Sequence, residues 1–463
     1  MTFINNLNDY LWAIIVIPLL VVCALYFTIK TKGVQFSMLG HMVKLLAESP
    51  SSAGDGKDKK TISSFQAFVV SLTSRSGTGN LAGVASAIFV GGPGAVFWMW
   101  MMALLGSATA FVESTLAQLY KRKGEGSFIG GPAYYMKYGL HRPWLGVLFS
   151  IALALMMSLS QNIMQSNQIS ESIRSTFVVR MDVIALALSL LTGVIIFGGI
   201  HRIARFSSVI LPIMAGGYVT MTLVIIGMNI TEVPHVLKLI VTSAFGLDPM
   251  AGGAFGIAVS QGIKRGLFSN EAGEASTPNT AATTENSHPV KQGLIQALGV
   301  FSDTLLVCTC TALIILLSGV YQGFESDGIL LTTKALETQI GPAAPYIVSV
   351  TIFLFAFTSI LGNYYYGETS IRFITRKKYV LNIYRLITMA IVLLGGFLSI
   401  GEIWSLVDLS MAVIVMINIG SVLPLVPKVS ALLKDYRQQL KEGKDPQFKA
   451  SSMPEIEKDL EAW

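Results

Sequence analysis

Apolar runs long enough to cross a lipid bilayer recur along this 463-residue chain. A helix needs about 20 apolar residues to span the hydrocarbon, and only helices or closed barrels satisfy every backbone group there. Only 13% of the residues are charged, against about 25% in an average soluble chain. The sequence therefore predicts an all-α integral membrane protein, and excludes a disordered chain, a coiled coil and a nucleic-acid-binding domain.

This length criterion predicts eleven transmembrane helices, and the basic residues orient them. With the amino end outside, 25 of the 33 Lys and Arg residues fall in inner segments and four in outer segments. Because positive charge accumulates on the cytoplasmic side, we expect the carboxyl end in the cytoplasm and a location in the cell (inner) membrane. The predicted spans are 9–29, 65–90, 94–120, 144–173, 182–198, 206–228, 251–283, 290–319, 344–367, 381–399 and 403–427.

Two spans contain polar, glycine-rich stretches with ionisable residues, at 71–84 and at 260–276. An unwound segment is tolerated in the membrane only where it lines a buried cavity, and Gly77, Gly79 and Gly266 allow the chain to leave helical dihedrals. The alternative is close helix packing through glycine. That alternative does not explain ionisable residues at this depth, which are functional candidates. We therefore predict two interrupted helices.

Each interrupted helix opens a block of five spans, so the second block is inverted relative to the first. Broken helices at corresponding positions of inverted halves are typical of secondary transporters, with a binding site at the midplane. The predicted organisation is a leading helix and cytoplasmic linker (1–64), a first inverted repeat (65–228), an extracellular connection (229–250), a second inverted repeat (251–427) and a solvated cytoplasmic tail (428–463).

A helix that stops inside the membrane exposes free N–H groups on one side of the break and free carbonyls on the other. The N–H groups near Gly77, Thr78, Gly79 and Asn80 suit a carboxylate. The carbonyls suit an ammonium group or Na⁺. A zwitterionic amino acid carries both charges close together, so we expect a neutral amino acid as substrate.

Further polar residues lie in other spans, and each has an alternative interpretation. Gln165 belongs to a polar helical face in the fourth span, which lines the cavity or joins helices by hydrogen bonds. Thr358 and Ser359 place two hydroxyls in the ninth span, where each either binds an ion or bonds back to its own helix. Phe268 alone is typical of a core residue.

Four carboxylates also lie in apolar spans, namely Glu113, Asp303, Glu368 and Asp408. Each is a candidate proton carrier. The alternative is that each forms a structural ion pair with a basic residue, and we favour this alternative. The basic residues available are Arg75, Lys264, Arg265 and Arg372.

Four motifs resemble the alanine or glycine:cation symporter family: SGTGNLAGV (76–84), GGPGAVFWMW (91–100), GGPAYY (130–135) and RGLFSNEAG (265–273). The resemblance runs from about residue 8 to residue 430. It implies a leucine-transporter-like fold with a five-plus-five inverted repeat and one extra leading helix. It also implies Na⁺-coupled, in some members H⁺-coupled, uptake of small neutral amino acids by bacteria or archaea.

The resemblance implies site residues as well. It places substrate contacts at Thr78, Gly79, Asn80, Gln165, Phe268 and Ser269. It places sodium ligands at the hydroxyls of Thr358 and Ser359, with the carbonyls of Thr73 and Ser76 completing the site.

One departure from the family pattern concerns Asn363, which stands where many members carry a Trp that bounds the cavity. The smaller, polar Asn leaves a larger pocket, so we expect Asn363 to contact the substrate and glutamine to be accepted beside or instead of alanine and glycine.

The sequence thus predicts a symporter that imports alanine, glycine or glutamine with Na⁺ by alternating access. A proton-coupled symporter and an ion channel are the alternatives. An enzyme is not expected, because the five histidines are scattered and the three cysteines lack metal-ligand spacing. We expect no cofactor and no metal beyond Na⁺. The expected partners are the amino acid, Na⁺ and membrane lipid, with no obligate protein partner.

Overall fold

The computed structural model describes residues 2–49, 62–124, 127–246, 255–455 and 457–463, which are mostly helical. In chain order the helices are α1 (Phe3–Lys30), α2 (Val34–Ser37), α3 (Leu39–Ala47), α4 (Ser64–Arg75), α5 (Gly79–Gly91), α6 (Gly94–Leu119), α7 (Pro132–Tyr134), α8 (Pro143–Phe177), α9 (Met181–Ile196), α10 (Gly199–Met228), α11 (Val233–Ala244), α12 (Phe255–Asn270), α13 (Pro278–Ala281), α14 (Pro289–Ser318), α15 (Ile329–Ile340), α16 (Ala344–Ile374), α17 (Lys378–Gly395), α18 (Ile400–Val422) and α19 (Val426–Lys441). Two short strands, β1 (Arg122–Lys123) and β2 (Phe128–Ile129), pair antiparallel between α6 and α7.

Within the described residues, eight helical segments are long and apolar enough to cross a membrane. They are α1, α6, α8, α10, α14, α15 with α16, α17, and α18 with α19, and they overlap eight of the predicted spans. The other three predicted spans coincide with the α4–α5 pair and with α9 and α12, which have 16 residues each. The count of eleven and the inverted repeat stay predictions.

The outer surface of α9 and α10 is apolar. Leu190, Val194, Ile213 and Leu223 are each at least half exposed. A soluble monomer rarely exposes so much contiguous apolar surface, so this is the surface we expect to face lipid. By contrast, α4 and α5 are buried almost all round, which places the first interrupted helix at the centre of the molecule.

The interruption predicted at 71–84 is confirmed locally, because α4 ends at Arg75 and the helix resumes at Gly79. The second interruption is shifted: α12 is helical through Asn270, and the break covers residues 271–277. The expectation for Gly266 was wrong. It is helical, and a Cβ there would lie 3.3 Å from the Met99 Cα of α6, so this glycine serves close helix packing.

The expectation of a solvated tail was also wrong. Buried residues recur on one face of α19: Val429, Leu432, Leu433 and Tyr436. Further along, the Phe448 N–H donates to the Ser287 carbonyl at 2.7 Å, and the Trp463 indole donates to the Gln118 carbonyl at 3.1 Å. The described part of the tail therefore contacts the helical bundle at several points along its length.

Two predicted connections contain helices of their own. α11 lies in the connection 229–250, and α15 lies between the eighth and ninth predicted spans. Of the predicted leading helix and linker (1–64), residue 1 and residues 50–61 lie outside the described residues, as does the predicted boundary at 250–251.

Candidate substrate and sodium site

We call α4, α5 and the connecting residues Ser76–Thr78 the first broken helix. Ser76 leaves the helical region with ψ of 70°, so the backbone N–H groups after it lose their partners one turn back. The Thr78 N–H instead donates to the Gln165 side-chain oxygen of α8 at 2.8 Å. A side chain from another helix thus satisfies the unwound backbone, as burial in the membrane requires.

Gly77 lies where the chain has no room for a side chain. A Cβ at this position would overlap the Ser359 hydroxyl and the Gln165 amide oxygen. The first broken helix therefore meets α8 and α16 at one point, and the predicted residues Gln165 and Ser359 lie side by side there.

The two hydroxyls predicted to bind sodium face the first broken helix. Thr358 Oγ1 lies 3.3 Å and Ser359 Oγ lies 3.0 Å from the Thr73 carbonyl oxygen. Both hydroxyls also lie within hydrogen-bonding distance of carbonyls one turn earlier in α16, including that of Phe355. All of these residues are buried. Three oxygens from two helices therefore converge, which is the kind of ligand that Na⁺ prefers.

We call α12, the turn 271–277 and α13 the second broken helix. Its residues Phe268 and Ser269 pack against the first break: a Cβ on Gly79 would lie 3.1 Å from the Phe268 ring and 3.0 Å from the Ser269 Cα. The Phe268 ring also contacts Trp404 edge to face, with centroids 5.0 Å apart. The two broken helices therefore pack directly against each other at this point.

Asp303 of α14 is a functional candidate whose place in this site the sequence did not indicate. It accepts hydrogen bonds from Ser76 Oγ at 3.0 Å, from Asn80 Nδ2 at 2.8 Å and from the Ser269 hydroxyl. The side chain is fully buried, and no basic group among the described residues lies within ion-pair distance. A buried carboxyl is neutralised either by a proton or by a compensating charge, so Asp303 is a candidate for both.

Some polar atoms near the two breaks have no hydrogen-bond partner within the described residues. They are Thr78 Oγ1, Asn80 Oδ1 and Asn162 Nδ2. Native proteins rarely leave buried polar groups unpaired. Two acceptor-capable oxygens and an amide donor are thus available to a ligand with its own donors and acceptors.

Asn363 lies one turn beyond Ser359 in α16. Its Nδ2 donates to Asn162 Oδ1 at 3.1 Å, and its Oδ1 accepts from Ser74 Oγ at 3.3 Å. Asn162 precedes Gln165 by three residues, hence on one face of α8. Asn363 is therefore connected to the predicted site through Asn162.

The favoured pairing of intramembrane carboxylates holds for two of the four. Asp408 pairs with Lys264 at 3.3 Å and Arg265 at 3.0 Å. Glu368 pairs with Arg372 at 2.6 Å. This pairing was wrong for Asp303 and for Glu113, which accepts from the Asn418 amide instead.

Arg75 also forms no ion pair within the described part of the chain. Its guanidinium donates to the Gln296 carbonyl at 3.2 Å and to Thr277 Oγ1 at 2.8 Å. It therefore ties the end of α4 to α14 and to the second broken helix. This is a structural use of a residue that the sequence offered as a functional candidate.

Comparison with known proteins identifies the family to which this chain belongs. A probable sodium/glutamine symporter of Bacillus subtilis is 46% identical over 441 residues, which cover 95% of this chain and 91% of that protein. An amino-acid carrier protein of the same strain is 45% identical over 100% of this chain and 97% of its own. A sodium/proton-dependent alanine carrier protein of Bacillus sp. (strain PS3) is 37% identical over 84% of this chain and 91% of its own.

These relatives are carriers and not enzymes, as expected from the sequence, and several apolar helices make the chain a multi-pass membrane protein. The pattern of one family covers residues 1–450. The chain therefore belongs to the sodium:alanine symporter family.

Proposed function

We propose that this protein imports a small neutral amino acid together with Na⁺ across the cell membrane by alternating access, with its amino end outside and its carboxyl end in the cytoplasm. The observation that carries the proposal is the convergence of the Thr73 carbonyl with the Thr358 and Ser359 hydroxyls. Oxygen ligands for Na⁺ therefore lie beside the break in the first broken helix. The backbone at this break suits the carboxylate of the substrate. The predicted eleven spans and five-plus-five repeat belong to this proposal.

In this proposal the substrate carboxylate binds at Thr78, Gly79 and Asn80. The helix resumes there, and the N–H groups at its start and the helix dipole favour an anion. Gln165 holds the Thr78 N–H at 2.8 Å and moves or shares this bond when substrate arrives. Phe268 and Ser269 close the opposite side of the site.

Na⁺ is bound by Thr358, Ser359 and the carbonyls of Thr73 and Ser76. Asp303 supplies the negative charge that the substrate ammonium group needs, because Asn80 and Ser269 hold its carboxylate beside the first break. An amino acid and one sodium ion would thus each meet a matching group without a cofactor.

Asn363 sets the substrate size. Asn162, its partner, keeps a free amide N–H, which would donate to a side-chain carbonyl. We therefore propose glutamine as a substrate beside alanine and glycine. The relative named a probable sodium/glutamine symporter supports this choice.

The test is uptake of labelled alanine, glycine and glutamine by purified protein in liposomes, with an inward Na⁺ gradient and a choline control. We expect concentrative uptake that requires Na⁺. Uptake that ignores Na⁺ but follows a pH gradient would contradict sodium coupling. Currents that need no amino acid would indicate a channel instead.

Proton coupling is the second candidate function. Two relatives are named as sodium/proton-dependent alanine carriers, one of them putatively. The buried carboxylates without basic partners, such as Asp303 and Glu113, are where a proton would bind.

A further inference from the structure

A second buried polar cluster lies on the other side of the second broken helix, outside the proposed substrate and sodium site. The Tyr135 hydroxyl donates to Asn418 Oδ1 of α18 at 2.5 Å. This bond fixes the orientation of the amide, so that Nδ2 donates to Glu113 Oε1 at 2.5 Å and to the Gly273 carbonyl at 2.9 Å. Glu113 of α6 is thus held against the turn 271–277 by one oxygen, while its second oxygen has no partner within the described residues.

Glu274, the residue after Gly273, lies in the same region. Its side chain is fully buried, and neither carboxylate oxygen has a hydrogen-bond partner in the described part of the chain. The turn that presents it is strained, because Glu271 and Ala275 have φ of 55° and 56° without being glycine. Such strain persists only where the surroundings fix the backbone. Glu274 is therefore held inside the protein with free acceptors.

Neither Glu113 nor Glu274 forms an ion pair with a basic side chain of the described residues. Arg75 is directed to Gln296 and Thr277. The Glu271 carboxylate of the same turn is already bound by the Ser74 and Ser276 hydroxyls. From the other elements, Tyr135 and Asn418 bring no positive charge.

Two carboxyl groups with three free oxygens therefore remain in a buried site. Isolated buried carboxylates are strongly unfavourable, so each of these carboxyls is neutralised either by a proton or by a bound cation. A small monovalent cation fits two carboxyls and one backbone carbonyl.

We propose that Glu113 and Glu274, with the Gly273 carbonyl, form a second cation site that binds a proton or Na⁺ during transport. This inference rests on the proposed symport. The turn belongs to the second broken helix, whose Ser269 contacts Asp303. Only three or four backbone residues separate Ser269 from Gly273 and Glu274, so cation binding at the second site is coupled to the substrate site through this short segment.

The test compares Glu274→Gln and Glu113→Gln with Glu271→Gln, a matched control in the same turn whose carboxylate already has hydroxyl partners. Purified variants in liposomes are assayed for the reversal potential of transport under opposing substrate, Na⁺ and pH gradients, and for amino acid counterflow. We expect a changed ion-to-substrate ratio in both site variants, whereas the Glu271→Gln control keeps the wild-type ratio and counterflow within about twofold of wild type. If the ion-to-substrate ratio no longer depends on pH in the site variants, the bound cation is a proton. If the ratio falls by one sodium ion per substrate, the bound cation is Na⁺.

Unchanged ratios in both site variants, with wild-type protein transporting normally, would overturn the second site and leave the proposed symport intact. Wild-type protein without Na⁺-dependent uptake would instead contradict the symport. If either variant does not fold, wild-type protein is treated with dicyclohexylcarbodiimide, which reacts with buried protonated carboxyls, and labelling is mapped by mass spectrometry. We expect labelling of Glu274 or Glu113 that declines as pH or Na⁺ concentration rises. Labelling that ignores both, or that is confined to other carboxyls, overturns the site.

Discussion

The Gln165 side-chain oxygen accepts the backbone N–H of Thr78 across the break between α4 and α5, at 2.8 Å. This bond joins α8 to the unwound segment. Replacing Gln165 with Ala removes the proposed contact of this side chain with the substrate and leaves a buried substrate group unsatisfied, which costs about 1–3 kcal/mol. We expect the substrate concentration for half-maximal uptake to rise roughly five- to one-hundred-fold. Gln161→Ala, one turn earlier on the same helix, serves as the control, and an equal effect of both changes would contradict the assignment.

Asp303 accepts from three side chains of the two broken helices. An Asp303→Asn variant loses the charge and presents an amide N–H₂ to at least one of these donors. In the proposed complex this leaves the buried ammonium group of the substrate without its charge partner, and breaking such a pair costs about 3–5 kcal/mol, so we expect Na⁺-driven uptake to fall more than roughly one-hundred-fold. The measurement is initial uptake in liposomes.

The control for Asp303 is Asp327→Asn, which removes a carboxylate that accepts from Ser86 at 2.6 Å. Asp303→Asn protein that is folded and transports like this control would show that the Asp303 charge has no role in binding.

Thr358 and Ser359 approach the Thr73 carbonyl from α16. Thr358→Val and Ser359→Ala each remove one hydroxyl with little change in volume. A hydrogen bond to a charged group contributes about 1.5–3 kcal/mol, and we take the contact between a hydroxyl and Na⁺ to be of similar strength. We therefore expect the half-saturating Na⁺ concentration to rise roughly ten- to one-hundred-fold for each variant.

A matched control for this pair is Ser370→Ala on the same helix, whose hydroxyl bonds back to the Tyr366 carbonyl at 3.0 Å. A Na⁺ dependence unchanged in both test variants would reject the sodium site.

The sequence was informative where the relevant residues are neighbours in the chain. The stretch 76–80 contains most of the first break, and Thr358 and Ser359 are adjacent, so short motifs identify them. The sequence was less informative about partners that are distant. The Asp303 carboxylate meets Ser76 and Asn80, which are more than 200 residues away, and a single Asp in an apolar run does not indicate which groups surround it.

Tertiary contacts also explain the misplaced second break. Lys264 and Arg265 made the stretch 260–276 look unsuited to a membrane helix. In the folded chain both reach Asp408 of α18, and this ion pairing makes a regular helix tolerable through Asn270. The non-helical turn lies beyond, where Gly273 has φ of 111°. Composition alone does not separate a charged helix with a distant partner from an unwound segment.

Asn363 provides a test of substrate choice. Its amide bonds Asn162 and Ser74, and a Trp here would fill the space between α8 and α16. We expect Asn363→Trp to abolish glutamine uptake while alanine uptake falls less than roughly fivefold, because the larger side chain excludes the longer substrate and leaves room for the shorter one. Competition of both amino acids against labelled alanine measures the difference. An equal loss of alanine and glutamine would contradict the size argument.

His288 makes the packing of the tail sensitive to pH. Its ring is buried against Tyr436, with centroids 4.9 Å apart, and its Nε2 lies 3.2 Å from Asp435 Oδ2. Burial, opposed by the Asp435 charge, lowers the pKa of His288 to about 4. In the unfolded chain the histidine pKa is about 6.5. Between about pH 6.5 and pH 4 the unfolded chain therefore binds more protons than the folded chain. The contribution of His288 to stability is thus complete above this pH range and declines as the pH falls through it.

We expect the midpoint of thermal unfolding in detergent to fall between pH 7.5 and pH 5 in wild-type protein, and to fall less in His288→Asn. Asn cannot take up the proton. Its side-chain oxygen still offers an acceptor for the Val290 N–H, which donates to His288 Nδ1 at 3.2 Å in the wild-type protein. Because α14 begins directly after this residue, the preserved cap separates the effect of charge from the loss of helix stability. His141→Asn, at an exposed histidine near Asp459, should keep the wild-type slope. A slope that persists in His288→Asn would mean that another group controls the acid sensitivity, and that protonation of His288 does not release the tail from the bundle.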